Sequence, residues 1–268
     1  MAMQTTSSPA LAVFNQQLYI AYKSATGGEI FVNRSKDGFT WDEPYQIGQE
    51  INNNAPSMAV FNGRLYMAYR AETSNEIFVT STTNGVAWDN TVQIGQRTSD
   101  SPSITAFGKR LYMAFKSDNS NEIYVCSSTD GKAWADSYTI GQQTSSSPSI
   151  LYADSILYLM YKACTSTQIF ISSSIDGAVW KGPQEIGQQT TSIVALANRY
   201  SDLIIAYKAE TSDAIFTSSH WAPRPWSGPE QTAYETNTAP ALAVFNDKVF
   251  MAYKSSSNNN IPVVQLSK

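Results

Sequence analysis

A basic residue recurs at one point of a repeated sequence pattern, and in half of the copies a glutamate follows six residues later. The basic residues are Lys23, Arg70, Lys116, Lys162, Lys208 and Lys254. The residues six positions further on are Glu29, Glu76, Glu122, Gln168, Ala214 and Asn260. An exposed ion pair between the two would contribute only about 0–1 kcal/mol. Because the cation persists in the copies that lack the carboxylate, it indicates a further duty, either donation to carbonyls of a neighbouring loop or contact with a ligand.

An aromatic residue directly precedes each of these basic residues: Tyr22, Tyr69, Phe115, Tyr161, Tyr207 and Tyr253. A sugar needs a few oriented donors and acceptors for its hydroxyl groups, and a ring on which its C–H face can lie. The pattern therefore predicts repeated sugar pockets, although the same rings could instead pack one repeat against the next. The candidate ligand-binding residues are Lys23, Glu29, Arg70, Glu76, Lys116, Glu122, Lys162, Gln168, Lys208, Lys254, Tyr22, Tyr69 and Tyr161.

The strands and turns that position these residues belong to a sequence repeat of about 46 residues. Five copies begin at Pro9, Pro56, Pro102, Pro148 and Pro240, and a sixth begins near Val194. The first copy contains β-rich segments at 9–14, 18–23, 29–35 and 41–47, joined by short polar turns. Four antiparallel strands in a period of this length are typical of a propeller blade. We predict an all-β, six-bladed β-propeller in a single domain spanning 1–268, with blades at approximately 5–51, 52–97, 98–143, 144–189, 190–235 and 236–268.

The last two copies depart from the pattern. The sixth has only three recognisable strands and ends at 263–266. The ring must then close through a shortened strand within Met1 to Thr6, or keep an open edge that could pair with another chain as a homo-oligomer. The fifth copy carries Trp221 and Trp226 in an irregular, proline-containing loop where the others have a tight turn.

That tight turn precedes the fourth strand in four copies and covers 35–41, 82–88, 128–134 and 174–180. Each copy contains Asp-Gly or Asn-Gly, which suits a turn with positive φ, and ends in tryptophan. The motif resembles the Asp-box of sialidase-like propellers, with one residue missing between the Asp and the Gly. The plan of many short repeats joined by polar loops is also similar to that of propeller lectins. The resemblance implies that these turns are scaffold and that the binding face lies opposite them, where strand alternation also places the basic residues.

Composition narrows the choice of partners. With 15% charged residues and a net charge of -4, the chain gives no electrostatic reason to expect nucleic acid as a partner. One histidine and two cysteines are too few for a dedicated zinc site, and we expect no metal and no cofactor. No apolar run approaches the roughly 20 residues that span a bilayer. The first ten residues lack the features of a signal peptide, so we expect a cytoplasmic protein or one released without a classical leader.

The regularity of the copies favours binding over catalysis. A sialidase-like centre needs a cluster of three arginines, whereas the seven arginines of this chain fall at dissimilar positions of their repeats. We therefore assign no catalytic residue and predict a multivalent carbohydrate-binding protein, a lectin whose partners are glycans or glycoconjugates. Two alternatives stay open. A glycoside-processing enzyme would draw on His220 or irregular loop carboxylates such as Asp100, Asp154 and Asp213, and a protein-interaction scaffold would use the loop from Trp221 to Trp226.

Overall fold

The computed structural model describes residues 3–267, which form 23 β-strands in six sheets. Five of the sheets contain four antiparallel strands and the last contains three. The innermost strands of neighbouring sheets contact one another around a closed ring. The prediction of a six-bladed β-propeller with an incomplete last blade is therefore confirmed. None of the residues from 3 to 267 lies in a helix that is long and apolar enough to cross a bilayer.

Each blade runs outward from the propeller axis in sequence order. The innermost strands are β1 (Ala10–Phe14), β5 (Ser57–Phe61), β9 (Ser103–Phe107), β13 (Ser149–Ala153), β17 (Ala195–Arg199) and β21 (Ala241–Phe245). The second strands are β2 (Gln17–Lys23), β6 (Arg64–Arg70), β10 (Arg110–Lys116), β14 (Ile156–Lys162), β18 (Asp202–Lys208) and β22 (Lys248–Ala252). The third strands are β3 (Glu29–Ser35), β7 (Glu76–Thr82), β11 (Glu122–Ser128), β15 (Gln168–Ser174), β19 (Ala214–His220) and β23 (Val263–Leu266). The fourth strands are β4 (Tyr45–Glu50), β8 (Val92–Arg97), β12 (Tyr138–Gln143), β16 (Lys181–Gln189) and β20 (Glu230–Glu235).

The second strand of each blade is apolar along almost its whole length because neighbouring blades cover both sides of the sheet. In β2, Leu18 and Ile20 pack against the sixth blade, whereas Tyr19 and Ala21 pack against the second blade. Burial on both faces favours a continuous apolar run rather than the alternation of a half-exposed strand. The same alternation of side-chain direction decides which groups can meet between two blades.

The fourth strand begins later than the sequence predicts. The predicted segment 41–47 contains Trp41, but β4 starts at Tyr45, which pairs with Val32. The turn instead continues through Trp41, since the amide of Asp42 donates to the carbonyl of Arg34 at 2.9 Å. Trp41 packs against the apolar cluster between the sixth and first blades rather than joining the sheet.

The two ends of the described chain meet in the sixth blade. The amide of Thr5 donates to the carbonyl of Asn259 at 2.8 Å, and the amide of Ile261 donates to Met3 at 3.0 Å. A bond of the same kind closes the second blade within its own repeat, from Thr98 to the carbonyl before β7. Residues 3–5 therefore replace the end of the missing fourth strand, whereas no described residue pairs with the outer edge of β23. Met1 and Ala2, which belong to the predicted closing segment, lie outside the described residues.

The Asp-Gly turns hold adjacent blades together. In the third blade, Ser128 Oγ accepts the amide of Gly131 at 2.8 Å, and Asp130 Oδ1 accepts the next two amides at 2.8 and 2.9 Å. Gly131 has φ of 74°, and a Cβ at this position would collide with the ring of Tyr66 in the preceding blade. Only glycine fits both the backbone conformation and the close approach.

Candidate functional site

The two ends of the propeller carry different groups. One end, here called the loop face, carries the segments that connect successive blades and the loops between the second and third strands. The six basic residues stand at or just after the ends of the second strands on this face. The other end, here called the turn face, carries the hairpins between the first two strands and the Asp-Gly turns.

The basic residues fasten the loops of the loop face. Lys116 Nζ donates to Ser99 Oγ at 2.7 Å. Lys254 is buried, and its Nζ donates to Asn237 Oδ1 at 3.0 Å and to two carbonyls of the following loop at 3.2 Å each. The other basic residues have comparable acceptors, namely Thr6 for Lys23, the Ser99 carbonyl for Arg70, Ser145 for Lys162 and the Ser212 carbonyl for Lys208. Hydrogen bonding to a neighbouring loop, one of the two roles that the sequence pattern indicated for the cations, is therefore present in the structure.

The glutamates do not pair with these cations. Lys23 stands opposite Ile30 in the β2–β3 register, and Glu29 precedes Ile30 by one residue. Successive side chains point to opposite faces of a sheet, so Lys23 and Glu29 lie on opposite sides of their blade. Among the residues that the structure describes, no ion pair joins Lys23 to Glu29 or links the equivalent residues of the second and third blades. The ion-pair interpretation is therefore wrong. Lys208 instead has a loop carboxylate nearby, since its Nζ lies 3.5 Å from Asp213 Oδ1.

This alternation brings residues from different blades together instead. Each inter-blade cleft, meaning the groove between one blade and the next at the loop face, receives the cation of the blade that comes earlier in the ring. The glutamate and the aromatic residue at the same cleft come from the blade that follows it. Arg70, for example, donates to the Ser99 carbonyl at 3.2 Å, at the start of the third blade. Tyr124 of that third blade packs into the same interface, and Glu122 lies on its side of β11.

The predicted aromatic residues lie inside the clefts rather than on their rims. Tyr22, Tyr69 and Tyr161 are each 3% exposed. Their hydroxyls donate to side-chain amide oxygens, at 2.7 Å for Tyr69 to Gln49 of the preceding blade and at 2.9 Å for Tyr22 to Asn33. Burial raises the pKa of Tyr22 and Tyr161 to about 12. These three rings therefore lie at the bottom of the clefts, where they pack between neighbouring blades.

A second set of aromatic residues, which the repeated sequence pattern did not single out, lies nearer to the surface. These residues stand two positions after the glutamate position, stack on the buried rings at centroid distances of 6.0–6.2 Å and are half-buried: Phe31, Phe78, Tyr124, Phe170 and Phe216. Tyr124 donates to Glu122 Oε2 at 3.0 Å, and this hydrogen bond raises the pKa of the tyrosine. These aromatic residues could have been found from the sequence, because each lies two residues after the glutamate position. Two residues on a strand that are two positions apart lie on the same face, which places the ring beside the carboxylate.

The half-buried acceptors at the glutamate position keep local partners. Glu76 Oε2 accepts a hydrogen bond from Ser74 at 3.1 Å, and Gln168 Oε1 accepts one from Ser166 at 2.7 Å. Ala214 and Asn260 occupy the same position in the fifth and sixth blades. The composition of the clefts therefore differs around the ring.

The central channel offers different chemistry. It has a volume of about 390 Å³ and is lined by Ser, Thr, Pro and small or aliphatic residues of the innermost strands, with no titratable side chain among the described lining residues. Near its loop-face end, the amide of Ser101 donates to Ser147 Oγ at 2.8 Å, and Ser147 donates to Asp100 at 2.7 Å. The channel is thus an open space along the propeller axis that presents hydroxyl and aliphatic groups and, among the described lining residues, no charge.

The residues that could have formed a one-off catalytic set are dispersed. Asp100 lies near the channel, Asp213 lies near Lys208, and His220 stacks on Trp226 at a centroid distance of 5.2 Å on the turn face. Three arginines form ion pairs with carboxylates that are outside these positions, namely Arg34 with Asp42, Arg64 with Asp89 and Arg97 with Asp118. Within residues 3–267, no group of three or more His, Cys, Asp or Glu side chains could hold a metal ion.

Comparisons with known proteins agree on the fold. The family model described as the DUF6242 beta propeller domain matches residues 35–254. No curated protein matches the sequence. The structure is similar to that of the SapL1 lectin in complex with alpha methyl fucoside, with a TM-score of 0.75 and 13% identity over 99% of this chain and 94% of the lectin. It is also similar to the lectin of Aleuria aurantia, with a TM-score of 0.73 and 12% identity over 99% of this chain and 97% of that lectin.

Sialidases share the same architecture. The Hadza microbial sialidase Hz136 aligns with 96% of this chain at a TM-score of 0.72 and 13% identity, and this chain spans 65% of the length of that sialidase. TM-scores of 0.72–0.75 over nearly the whole chain establish a common fold. Identities of 12–13% leave the activity to be argued from the site.

Proposed function

This chain belongs to the family of the DUF6242 beta propeller domain, and we propose that it is a multivalent carbohydrate-binding protein with repeated sites in the inter-blade clefts of its loop face. The observation that carries the proposal is repetition. Equivalent cations recur in all six blades, stacked rings in the first five and half-buried acceptors in the first four. Several weak, similar sites on one body gain avidity through effective concentration.

The chemistry of a cleft suits a sugar. A cation from one blade and a glutamate or glutamine from the next can donate to and accept from ring hydroxyls. The half-exposed rings of Phe31, Phe78 and Tyr124 offer apolar surface beside those acceptors. Mixed sites with a few oriented polar groups against aromatic surface are those that bind small polar ligands.

The central channel supports binding over catalysis. Glycoside hydrolysis in most enzymes uses two carboxyl groups on either side of the scissile bond. The channel lining has none among the described residues. The similarity of the fold to a lectin held in complex with alpha methyl fucoside makes that fucoside a reasonable first probe.

The proposal is tested by counting sites. Calorimetric titration with alpha methyl fucoside, and then with the best ligands of a glycan array, should give more than one site per chain. Lys116 and Glu122 belong to the same blade but face different clefts. We therefore expect Lys116→Ala and Glu122→Ala each to remove about one site, and the double variant to remove about two.

Asp136→Ala is a matched control, because Asp136 is an exposed carboxylate of the same blade that follows its Asp-Gly turn, on the turn face. It should leave the number of sites unchanged. A single site per chain, or no binding to any glycan on the array, would overturn the proposal. Steady turnover of a chromogenic glycoside would instead establish the enzyme alternative.

A further inference from the structure

The fifth blade carries a hollow on the turn face. It has a volume of about 740 Å³ and lies between the β17–β18 hairpin and the loop that follows β19. The lining residues that matter most are Arg199, Tyr200, Asp202, Trp221, Arg224 and Trp226. Volumes of about 300–1,000 Å³ are typical of small-ligand pockets. The hollow lies on the face opposite the inter-blade clefts, so a ligand bound there would be independent of the sugar sites proposed above.

Tyr200 stands on one side of the hollow in a conformation that disfavours its residue type. Its φ is 56°, in the left-handed region, and its side chain is 73% exposed. Asparagine or aspartate occupies the equivalent turn position in most other blades, as at Asn15, Asn62 and Asp154. A bulky residue in this region is strained, and such strain is concentrated at functional sites. An exposed phenol ring held there at a cost in stability indicates a role outside the fold.

Trp221 stands on the other side, with 55% of its surface exposed. The loop that carries it is anchored at its base, because Ser227 donates its amide to Ser219 at 2.8 Å and its carbonyl accepts Ser218 Oγ at 2.7 Å. Within the loop, the amide of Arg224 donates to the carbonyl of Trp221 at 2.9 Å. The indole is therefore presented on a defined support.

The hollow also carries charge. The guanidinium carbon of Arg224 lies 5.1 Å from the centroid of the Trp221 ring, and Arg199 lines the same space. Asp202 is the one carboxylate among the described lining residues, and Arg224 is the basic residue that is placed against the indole of Trp221. A guanidinium binds carboxylates through paired hydrogen bonds.

We propose that this hollow binds a glycan residue that carries a carboxylate, namely a hexuronate, at one site per chain. The C–H faces of the sugar lie on Trp221 and Tyr200, the carboxylate pairs with Arg224, and Asp202 accepts from a ring hydroxyl. Each group of the hollow thus matches one feature of such a ligand. A neutral sugar would leave the guanidinium unused, and an acidic peptide would leave the two exposed ring faces without a flat partner.

The test uses trigalacturonate as the probe and its methyl ester as a matched neutral ligand, with binding followed by quenching of tryptophan fluorescence in the full chain. Trigalacturonate should bind at one site, and Trp221→Ala should weaken binding by about tenfold. Arg224→Met should weaken binding of the acid by about tenfold and leave the weaker binding of the ester unchanged.

Two further variants separate binding from folding. Tyr200→Asn should weaken binding and raise the melting temperature, because asparagine suits the left-handed turn. Val179→Ala, at an exposed position in the Asp-Gly turn of the fourth blade, which is the counterpart of the loop that carries Trp221, should change neither property. Equal affinities for the acid and its ester, tighter binding of an acidic peptide, or unchanged affinity in Trp221→Ala would each overturn the proposal.

Discussion

The backbone amide of Thr5 donates to the carbonyl of Asn259 at 2.8 Å, so a residue at the start of the chain completes the last blade. Thr5 is fully buried, and its Oγ1 accepts the amide of Ser7 at 3.1 Å. The same position is occupied by Ile51, Thr98, Thr144, Thr190 and Thr236 in the other blades, each of which donates to a loop of its own repeat. The ring is therefore closed by a bond of the kind that completes every blade, here made between the two ends.

Thr5→Pro should lower the free energy of unfolding by roughly 1–3 kcal/mol, since proline removes the donor at a buried position. Urea denaturation followed by far-ultraviolet circular dichroism measures the change. Gln4→Ala, an exposed neighbour that loses only a side-chain bond to Asn260, should have a much smaller effect. Equal midpoints for Thr5→Pro and the wild type would mean that this bond contributes nothing to closure.

The Asp-Gly turns should make the free energy of unfolding decrease at low pH. The amides of Lys132 and Ala133 donate to Asp130 and hold the pKa of its carboxyl below the usual range, and turn amides do the same for Asp37 and Asp176. A folded-state pKa below the unfolded value of about 3.9 stabilises the fold above that pH. The stabilisation is lost as the pH falls from about 4 through the lower folded-state values.

Asp130→Asn should reduce this acid sensitivity without abolishing it, because two carboxylates remain. Asn84 already accepts the same turn amides at 2.9 Å in the second blade, so the amide is compatible with the turn. The measurement is the denaturation midpoint at a series of pH values. Asp136→Asn, an exposed carboxylate outside the turn, should follow the wild-type curve, and an unaltered curve for Asp130→Asn would contradict the assignment.

Lys254 should contribute more to stability than the equivalent lysine of the fourth blade. Its ammonium is buried and donates to three oxygen atoms. Lys254→Met should cost about 1.5–3 kcal/mol, since hydrogen bonds to charged groups are stronger than neutral ones. Lys162→Met, at a half-buried position, should cost less. Chemical denaturation of both variants compares the two, and equal losses would mean that burial of the ammonium does not matter.

Pairing of a second copy along the open edge of β23 stays a prediction. The edge strand is short and exposes Gln265, and Pro262 precedes it. Short strands and prolines are common protections of sheet edges, whereas an unprotected edge pairs with other chains. If two copies pair here, sedimentation should give a mass that rises with concentration. Gln265→Lys should then restore the mass of one chain, whereas a single mass at all concentrations would exclude this association.

Much of the scaffold could be predicted from the sequence because each blade has the same residue types at the same positions. Pro9 and its equivalents precede the innermost strands, and glycines such as Gly131 mark turns where positive φ is required. The fourth strand that the sequence predicts begins too early because Trp41 is of a residue type common in strands but packs across the interface between two blades. Local pattern cannot distinguish those two uses of an aromatic ring.

The candidate site, like the scaffold, could be predicted from the sequence only in part. The six-bladed ring, the face that carries the cations and the irregular fifth and sixth blades could all be predicted from the sequence, since they follow from its period and from strand alternation. Which residues meet became clear only from the arrangement of the blades. This arrangement separates Lys23 from Glu29, buries Tyr22 beneath Phe31, and joins Tyr200 and Trp221 across one hollow. The physical reason is that a cleft is built from two blades, and neighbours across it are distant in sequence.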